Sequence, residues 1–93
     1  MVSALVLLNM ERDRINEVAQ QLVAMEGVTE VYSVAGQHDL VAVVRVRDND
    51  TLAELITGRM LKLPGIRRSE TLIAFRVYSR YDLERMFAVG LEG

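Results

Sequence analysis

Side chains suited to acid–base or metal chemistry are scarce in this sequence of 93 residues. It contains one histidine, His38, and no cysteine. A zinc–thiolate site, an iron–sulfur cluster, a disulfide scaffold and a thiol nucleophile are therefore excluded. His38 precedes Asp39, but neighbouring side chains on extended backbone point to opposite faces, which argues against a catalytic His–Asp pair. Because neither a Gly-x-Ser-x-Gly elbow nor a glycine-rich phosphate loop occurs, we predict no catalytic residue, no metal site and no cofactor.

The most informative polar segment is the turn Gly36-Gln37-His38-Asp39, which leads directly into an apolar run, residues 40–43. A carboxylate beside a glycine at the mouth of a buried sheet can accept hydrogen bonds from a ligand ammonium group. Exposed backbone N–H groups can bind a carboxylate, and an adjacent apolar surface can receive a side chain. These features together describe a site for a free amino acid. The alternative is a solvated turn in which Asp39 binds nearby backbone N–H groups.

A cluster of charged residues that is rich in arginine lies in the last third of the chain. Its bases are Arg67, Arg68, Arg76 and Arg80. The acids Glu70, Asp82 and Glu84 lie close by. Mixed charges at this spacing favour a solvated or interfacial charge network over a phosphate site.

Length and composition indicate one compact domain with room for a single core. The formal net charge is −2 with 51% hydrophobic residues, which argues against general binding of nucleic acid. Uninterrupted apolar runs such as Ala4–Leu8 are too short to cross a membrane. Because no secretory signal is evident, we expect a cytoplasmic protein without membrane contact.

Hydrophobic periodicity predicts four strands and two amphipathic helices in the order β-α-β-β-α-β. The predicted strands are Val2–Leu8, Val28–Val34, Leu40–Val46 and a fourth within Ile66–Tyr78 that is best defined at Thr71–Val77. Asp13 is the predicted N-cap of the first helix, which ends at Gly27, and residues 48–50 offer N-caps for the second, which Pro64-Gly65 ends. One or two further helical turns are predicted from Ser79. We accordingly divide the chain into a domain, residues 1–78, and a C-terminal tail with a short helix, residues 79–93.

The two halves of the chain resemble each other at a spacing of 38 residues, for example Ala4 with Ala42 and Gly27 with Gly65. Two such β-α-β halves predict an α+β ferredoxin-like fold, with a four-stranded antiparallel sheet and both helices on one face. The first and third strands, which are apolar on both faces, become the central pair. The face without helices then exposes apolar side chains, so we predict a homodimer through that face, a dimeric α/β sandwich.

The ordered set of motifs resembles the ligand-binding module of the Lrp/AsnC (leucine-responsive/asparagine-responsive) family of prokaryotic transcription regulators, the RAM domain. The resemblance covers about residues 2–78. It is carried by the segments Gly27–Val31, Gly36–Leu40, Leu63–Ile66 and Thr71–Phe75. It implies a ferredoxin-like domain that pairs through its sheets and assembles further, from tetramers to octamers.

The resemblance also implies where an amino-acid effector binds, namely in clefts between dimers. The residues it assigns to the ligand site are Gly36, Gln37, His38, Asp39, Leu63, Pro64, Gly65, Thr71, Leu72 and Ile73. Full-length family members carry a helix-turn-helix domain before this module, whereas here the first strand begins at Val2. We therefore expect a stand-alone form that binds no DNA directly and that modulates amino-acid-responsive transcription by assembling with itself or with full-length regulators.

Three other functions compete with this one. The first is an amino-acid sensor of the ACT type, which shares the same order of elements. The second is a small cofactorless enzyme built as a dimeric α/β barrel, which needs a titratable pocket where the third strand offers only Arg45 and Arg47 at its end. The third is a purely structural assembly protein. Binding of free amino acids separates the sensors from the other two.

Overall fold

The computed structural model describes residues 1–80. These residues form four strands, two α-helices and two short 3₁₀ turns, Arg12–Arg14 and Met60–Lys62. The strands are β1 (Val2–Met10), β2 (Val28–Ser33), β3 (Leu40–Val46) and β4 (Ile66–Ile73), and the helices are α1 (Ile15–Val23) and α2 (Asn49–Gly58). The short helix predicted from Ser79 falls largely on residues 81–93, outside the described residues.

The strands form one antiparallel sheet in the order β2-β3-β1-β4. The predicted ferredoxin-like fold is confirmed, with β1 and β3 as the central pair. The two halves that resemble each other at a spacing of 38 residues also share a backbone conformation. Gly27 and Gly65 each precede an edge strand with φ of +98° and +97°, a conformation that favours glycine. At Gly27 a side chain would also collide, because a Cβ atom would lie 2.9 Å from Val46 Cγ1.

The core lies between the sheet and the two helices. Alternate residues of β1 and β3 are buried there, because side chains on a strand alternate between its two faces. Val18 and Leu22 of α1 and Leu55 of α2 pack against them. The fully buried large side chains are Leu8, Leu22, Leu40, Met60, Val6, Val18 and Val44.

The other face of the sheet is uncovered by any element within residues 1–80. We call it the open face, and the register places on it Leu5, Leu7, Tyr32, Val41, Val43 and Leu72. Leu5 keeps 41% of its surface exposed although it lies on a central strand. Strand β4 is exposed on both faces from Arg67 to Ile73. A contiguous apolar surface of this kind is typical of a protein–protein interface.

Three of the four strands differ in their bounds from the sequence-based prediction. Strand β2 ends at Ser33, one residue before the predicted Val34. Asn9 and Met10, predicted as loop, belong to β1, where they pair with Arg68 and Ile66. Strand β4 begins at Ile66 and ends at Ile73, so it lies within the predicted segment Ile66–Tyr78, but it starts and ends before the part predicted as best defined, Thr71–Val77. The register explains this difference. The partner strand β1 starts at Val2, and the last ladder bond runs from the Ala74 N–H to the Ser3 carbonyl.

Of the predicted helix N-caps, the one for α1 is wrong and the one for α2 is confirmed. Asp13 is not the N-cap of α1. It lies inside the first 3₁₀ turn, and α1 starts at Ile15 without a side-chain cap. Asp48 does cap α2 by accepting a 2.8 Å hydrogen bond from the Thr51 N–H. Hydrogen bonding by the Thr51 side chain, together with this backbone bond, holds the pKa of Asp48 below its usual value. Among the described residues no helix is long and apolar enough to span a membrane.

Candidate functional site

Asp39 anchors the turn between β2 and β3 to strand β1. Its N–H donates to the Leu8 carbonyl at 2.9 Å, and its Oδ2 accepts from the Met10 N–H at 2.7 Å. The Asp39 carboxylate thus extends the β1–β3 ladder one step beyond the pair formed by Leu8 and Leu40. The alternative in which Asp39 binds backbone N–H groups of a solvated turn is confirmed only in part, because the carboxylate does accept from a backbone N–H but the donor is part-buried and lies on β1. Its other oxygen, Oδ1, accepts no hydrogen bond from residues 1–80 and remains available to a ligand.

Replacing Asp39 by alanine is expected to lower the free energy of unfolding by about 1–3 kcal/mol, because the buried Met10 N–H loses its acceptor. Asp39→Asn keeps an oxygen in the same place and is expected to cost less. Urea denaturation measures both variants, with Glu26→Ala as an exposed control. An alanine variant as stable as the parent would contradict a structural role for the carboxylate.

His38 links β1 to β4 across the end of the open face. Asn9 Nδ2 donates to the Gln37 carbonyl at 2.6 Å, which orients Asn9 Oδ1 toward His38 Nδ1 at 2.9 Å. His38 Nδ1 is therefore the donor in that contact. The other ring nitrogen, Nε2, lies 3.9 Å from Glu70 Oε2, so it faces a carboxylate.

A polar recess of about 600 Å³ lies beside this turn. It is lined by Asn9, Gln37, His38, Arg68, Ser69 and Glu70. Of the two adjacent arginines of β4, Arg68 lines the recess, whereas Arg67 does not and lies at an irregularity of the strand, where the register with β1 shifts by one residue. The recess therefore presents a guanidinium and a carboxylate to a small polar ligand.

The segment Leu63–Gly65 lies at the same end of the sheet as the turn. The Glu11 N–H, one residue beyond β1, donates to the Gly65 carbonyl at 2.9 Å. A Cβ atom at Gly65 would lie 2.8 Å from Arg14 Cβ, so this chain crossing requires glycine. Leu63 packs against the core, which gives its side chain a structural role, while Pro64 is exposed.

The segment Thr71–Ile73 is not brought to the turn within one chain. Leu72 pairs with Leu5, four residues along β1 from Asn9, which places it roughly 13 Å from the recess end of the sheet. Leu72 lies on the open face, whereas Thr71 and Ile73 lie on the opposite face. The predicted site residues thus separate into one group at the turn and another toward the far end of β4.

Sequence reasoning missed Asn9, Arg68, Ser69 and Glu70 as lining residues. Asn9 lies on the same face of β1 as Leu5 and Leu7, because side chains on a strand alternate between its faces. It could have been predicted as a lining residue if β1 had been extended by two residues. The other three depend on the register of β4, which its sequence alone does not specify. Among residues 1–80, no group of three or more His, Cys, Asp or Glu side chains is placed to hold a metal ion.

Residues 3–83 match the family model of the Lrp/AsnC ligand binding domain. The HTH-type transcriptional regulator LrpA of Pyrococcus horikoshii is 34% identical over 56 residues, which are 60% of this chain and 40% of that protein. The chain therefore spans about two fifths of the length of this relative.

Solved structures of similar proteins share the fold of this chain. TTHA0845 from Thermus thermophilus is 41% identical, with a TM-score of 0.81, covering 86% of this chain and 100% of that chain. The transcriptional regulator NMB0573 from Neisseria meningitidis, solved as an L-Met complex, is 11% identical with a TM-score of 0.76. That alignment covers 85% of this chain and 53% of the regulator. At this low identity the likeness concerns the fold alone.

Proposed function

Because the chain belongs to the Lrp/AsnC ligand binding domain family, we propose that it is an effector-binding module that binds a small amino acid. Binding of the effector at subunit interfaces modulates amino-acid-responsive transcription. The module acts by binding, without catalysis and without a cofactor. It works through assembly with itself or with full-length regulators of the family, and these regulators supply the contact with DNA.

The observation that carries this proposal is the polar recess beside the turn formed by residues 36–39. An amino acid brings an ammonium and a carboxylate, and both lose water when they enter a cleft. Asp39 is not itself among the lining residues but directly follows His38, which is. In the proposed complex the ammonium group binds Asp39 Oδ1, the carboxylate oxygen that residues 1–80 leave without a hydrogen bond. The ligand carboxylate binds Arg68, the cation that lines the recess.

A ligand site formed jointly by two copies of the chain accounts for the two separate groups of predicted site residues. Within one chain Leu72 lies roughly 13 Å along the sheet from Asn9, and Thr71 and Ile73 lie on the face of β4 opposite to the recess. In the proposed assembly Thr71–Ile73 come from a neighbouring copy and close the cleft against the turn and Leu63–Gly65. The basic unit is a homodimer through the open face, and dimers associate into tetramers to octamers.

The proposal is tested by a thermal-shift screen of the twenty amino acids, followed by calorimetry of the best ligands. A ligand at a hundredfold excess over its Kd stabilises the folded state by about 2.7 kcal/mol. For a domain of this size that stabilisation corresponds to a rise in Tm of roughly 10–20 °C. L-methionine is one of the first to test, because NMB0573, a protein of the same fold, was solved with it.

The D-enantiomer of each active amino acid is the matched control for the screen. It carries the same charges but reverses the arrangement around Cα, so a built site discriminates against it. If all twenty amino acids leave the Tm of an intact dimer unchanged at millimolar concentration, the effector-binding proposal is wrong. A structural assembly protein would then be the better interpretation.

A further inference from the structure

The segment that follows β4 exposes large apolar side chains. We call residues 74–78 the arm. After the Ala74 N–H bonds to the Ser3 carbonyl, no further ladder hydrogen bond joins the arm to the rest of residues 1–80. Phe75 is fully exposed at 104%, Tyr78 is 79% exposed, and Val77 between them is 44% exposed. Within residues 1–80 nothing packs on the Phe75 ring, which favours a binding partner outside the chain.

We propose that the arm of each copy packs on the open face of a second copy, so that two arms are exchanged across the dimer. The inference rests on the dimer of the proposed function and goes beyond it by assigning the segment that seals the interface. The position of the arm identifies a second copy of the chain as its binding partner. Leu72 lies on the open face at the edge of the sheet, and the arm leaves the sheet two residues later.

The reach of the arm fits this arrangement. Two sheets packed face to face lie about 10 Å apart, and extended chain advances about 3.3 Å per residue. Three residues therefore suffice to cross from one sheet to the other, and the arm has five. The arm continues from the end of β4, which is an edge strand whose only neighbour within residues 1–80 is β1.

The surface area that the arms can bury is a large share of what a stable dimer interface needs. Phe75 and Tyr78 can each bury about 150–250 Å². One arm thus supplies roughly 300–500 Å² of the ~800 Å² per partner that a standard interface buries. The apolar side chains of the open face supply the remainder, which makes the arm a principal part of the contact.

The charges of the arm and of the open face are complementary. Arg76 lies between Phe75 and Val77 in the arm. The open face is bordered by Glu30 on β2 and Glu70 on β4, which pair in register with Val43 and Leu7. An arm that crosses either border places its guanidinium near a carboxylate. Charge pairs at the rim of an interface favour one register over others.

Phe75→Ser tests the energetic part of the inference. A symmetric dimer loses two aromatic contacts, so its Kd is expected to rise at least ~30-fold, since buried aromatic residues are frequent hot spots. Val23→Ser, on an exposed position of α1, is the matched control and is expected to leave the Kd unchanged. Sedimentation equilibrium measures both variants. Since Phe75 is fully exposed within its own chain, the substitution leaves the fold intact, which circular dichroism checks.

Crosslinking in trans tests the position of the arm. The chain contains no cysteine, so each engineered thiol is unique. Phe75→Cys in an untagged chain is mixed with a size-tagged chain that carries Leu5→Cys, Tyr32→Cys or Val43→Cys on the open face, or Val23→Cys as control. A short bismaleimide is expected to give the mixed-size dimer with at least one open-face position and with none at Val23.

The outcomes separate this inference from the proposed function. A parent protein that is monomeric at micromolar concentration overturns the dimer and the arm exchange together. A dimeric parent whose Kd is unchanged by Phe75→Ser overturns the arm exchange and leaves the dimer standing. The same conclusion follows if Phe75→Cys crosslinks to Val23→Cys as efficiently as to every open-face position.

Discussion

Asp39→Asn is expected to weaken amino-acid binding by roughly ten- to a hundredfold while the chain stays folded and dimeric. The carboxylate that meets the ligand ammonium becomes a neutral amide, and charge-assisted hydrogen bonds contribute about 1.5–3 kcal/mol. A tenfold change in Kd corresponds to about 1.4 kcal/mol. Calorimetry with the best ligand of the amino-acid screen measures the loss.

Two comparisons separate the ligand role of Asp39 from its structural role. In Asp39→Asn the remaining oxygen can still accept from the Met10 N–H, so stability changes little while affinity falls. In Asp39→Ala stability and affinity fall together. Glu26→Gln, an exposed acid on the loop before β2, controls for the general loss of negative charge. If Asp39→Asn binds the ligand with unchanged affinity, Asp39 is a turn anchor only and the ligand ammonium group binds elsewhere.

The fold was predictable because the local signals agree with one another. Strand β3, Leu40–Val46, was predicted with both of its bounds, since it is apolar on both faces and follows a turn that begins with a glycine at φ +123°. Asp48 was predictable as a cap because Ser, Thr, Asp and Asn are preferred there. Asp13 carries the same signal but lies inside a 3₁₀ turn, whose tighter winding ends before α1 begins.

The candidate site was only partly predictable, because it depends on strand register. The turn formed by residues 36–39 is local, and its sequence identified it. The recess also needs Asn9 paired with Arg68, which is a relation between residues 59 positions apart. A shift of one residue would move Arg68 to the other face of the sheet and bring Arg67 or Ser69 in its place. No periodicity within β4 distinguishes these arrangements.

The structure also explains why an acid at position 39 suits both a folding role and a binding role. One oxygen completes the hydrogen-bond ladder at the end of β1, and this contact fixes the position of the other oxygen. A ligand group that binds Oδ1 therefore meets a carboxylate that is already oriented. Such preorganisation reduces the ordering cost of binding. The same contact couples ligand binding to the stability of the turn.

Leu5→Asp is expected to convert the dimer to a monomer at micromolar concentration. Leu5 lies on a central strand of the open face, so the proposed dimer buries it between two sheets. A carboxylate there loses its water without gaining a partner, and a two-fold interface brings two such charges together. An increase in Kd of at least ~100-fold is expected, which corresponds to about 2.8 kcal/mol. Sedimentation equilibrium measures it, with Val23→Asp on α1 as the matched control.

The ligand affinity of Leu5→Asp then tells where the effector site is assembled. Leu5 lines neither the turn nor the polar recess, so its substitution leaves Asp39 and Arg68 of the same chain in place. If the site needs Thr71–Ile73 from a neighbouring copy, the monomeric variant is expected to lose amino-acid binding although its fold is retained. A monomer that binds with the affinity of the parent would place the whole site within one chain, and a variant that stays dimeric would exclude the open face as the interface.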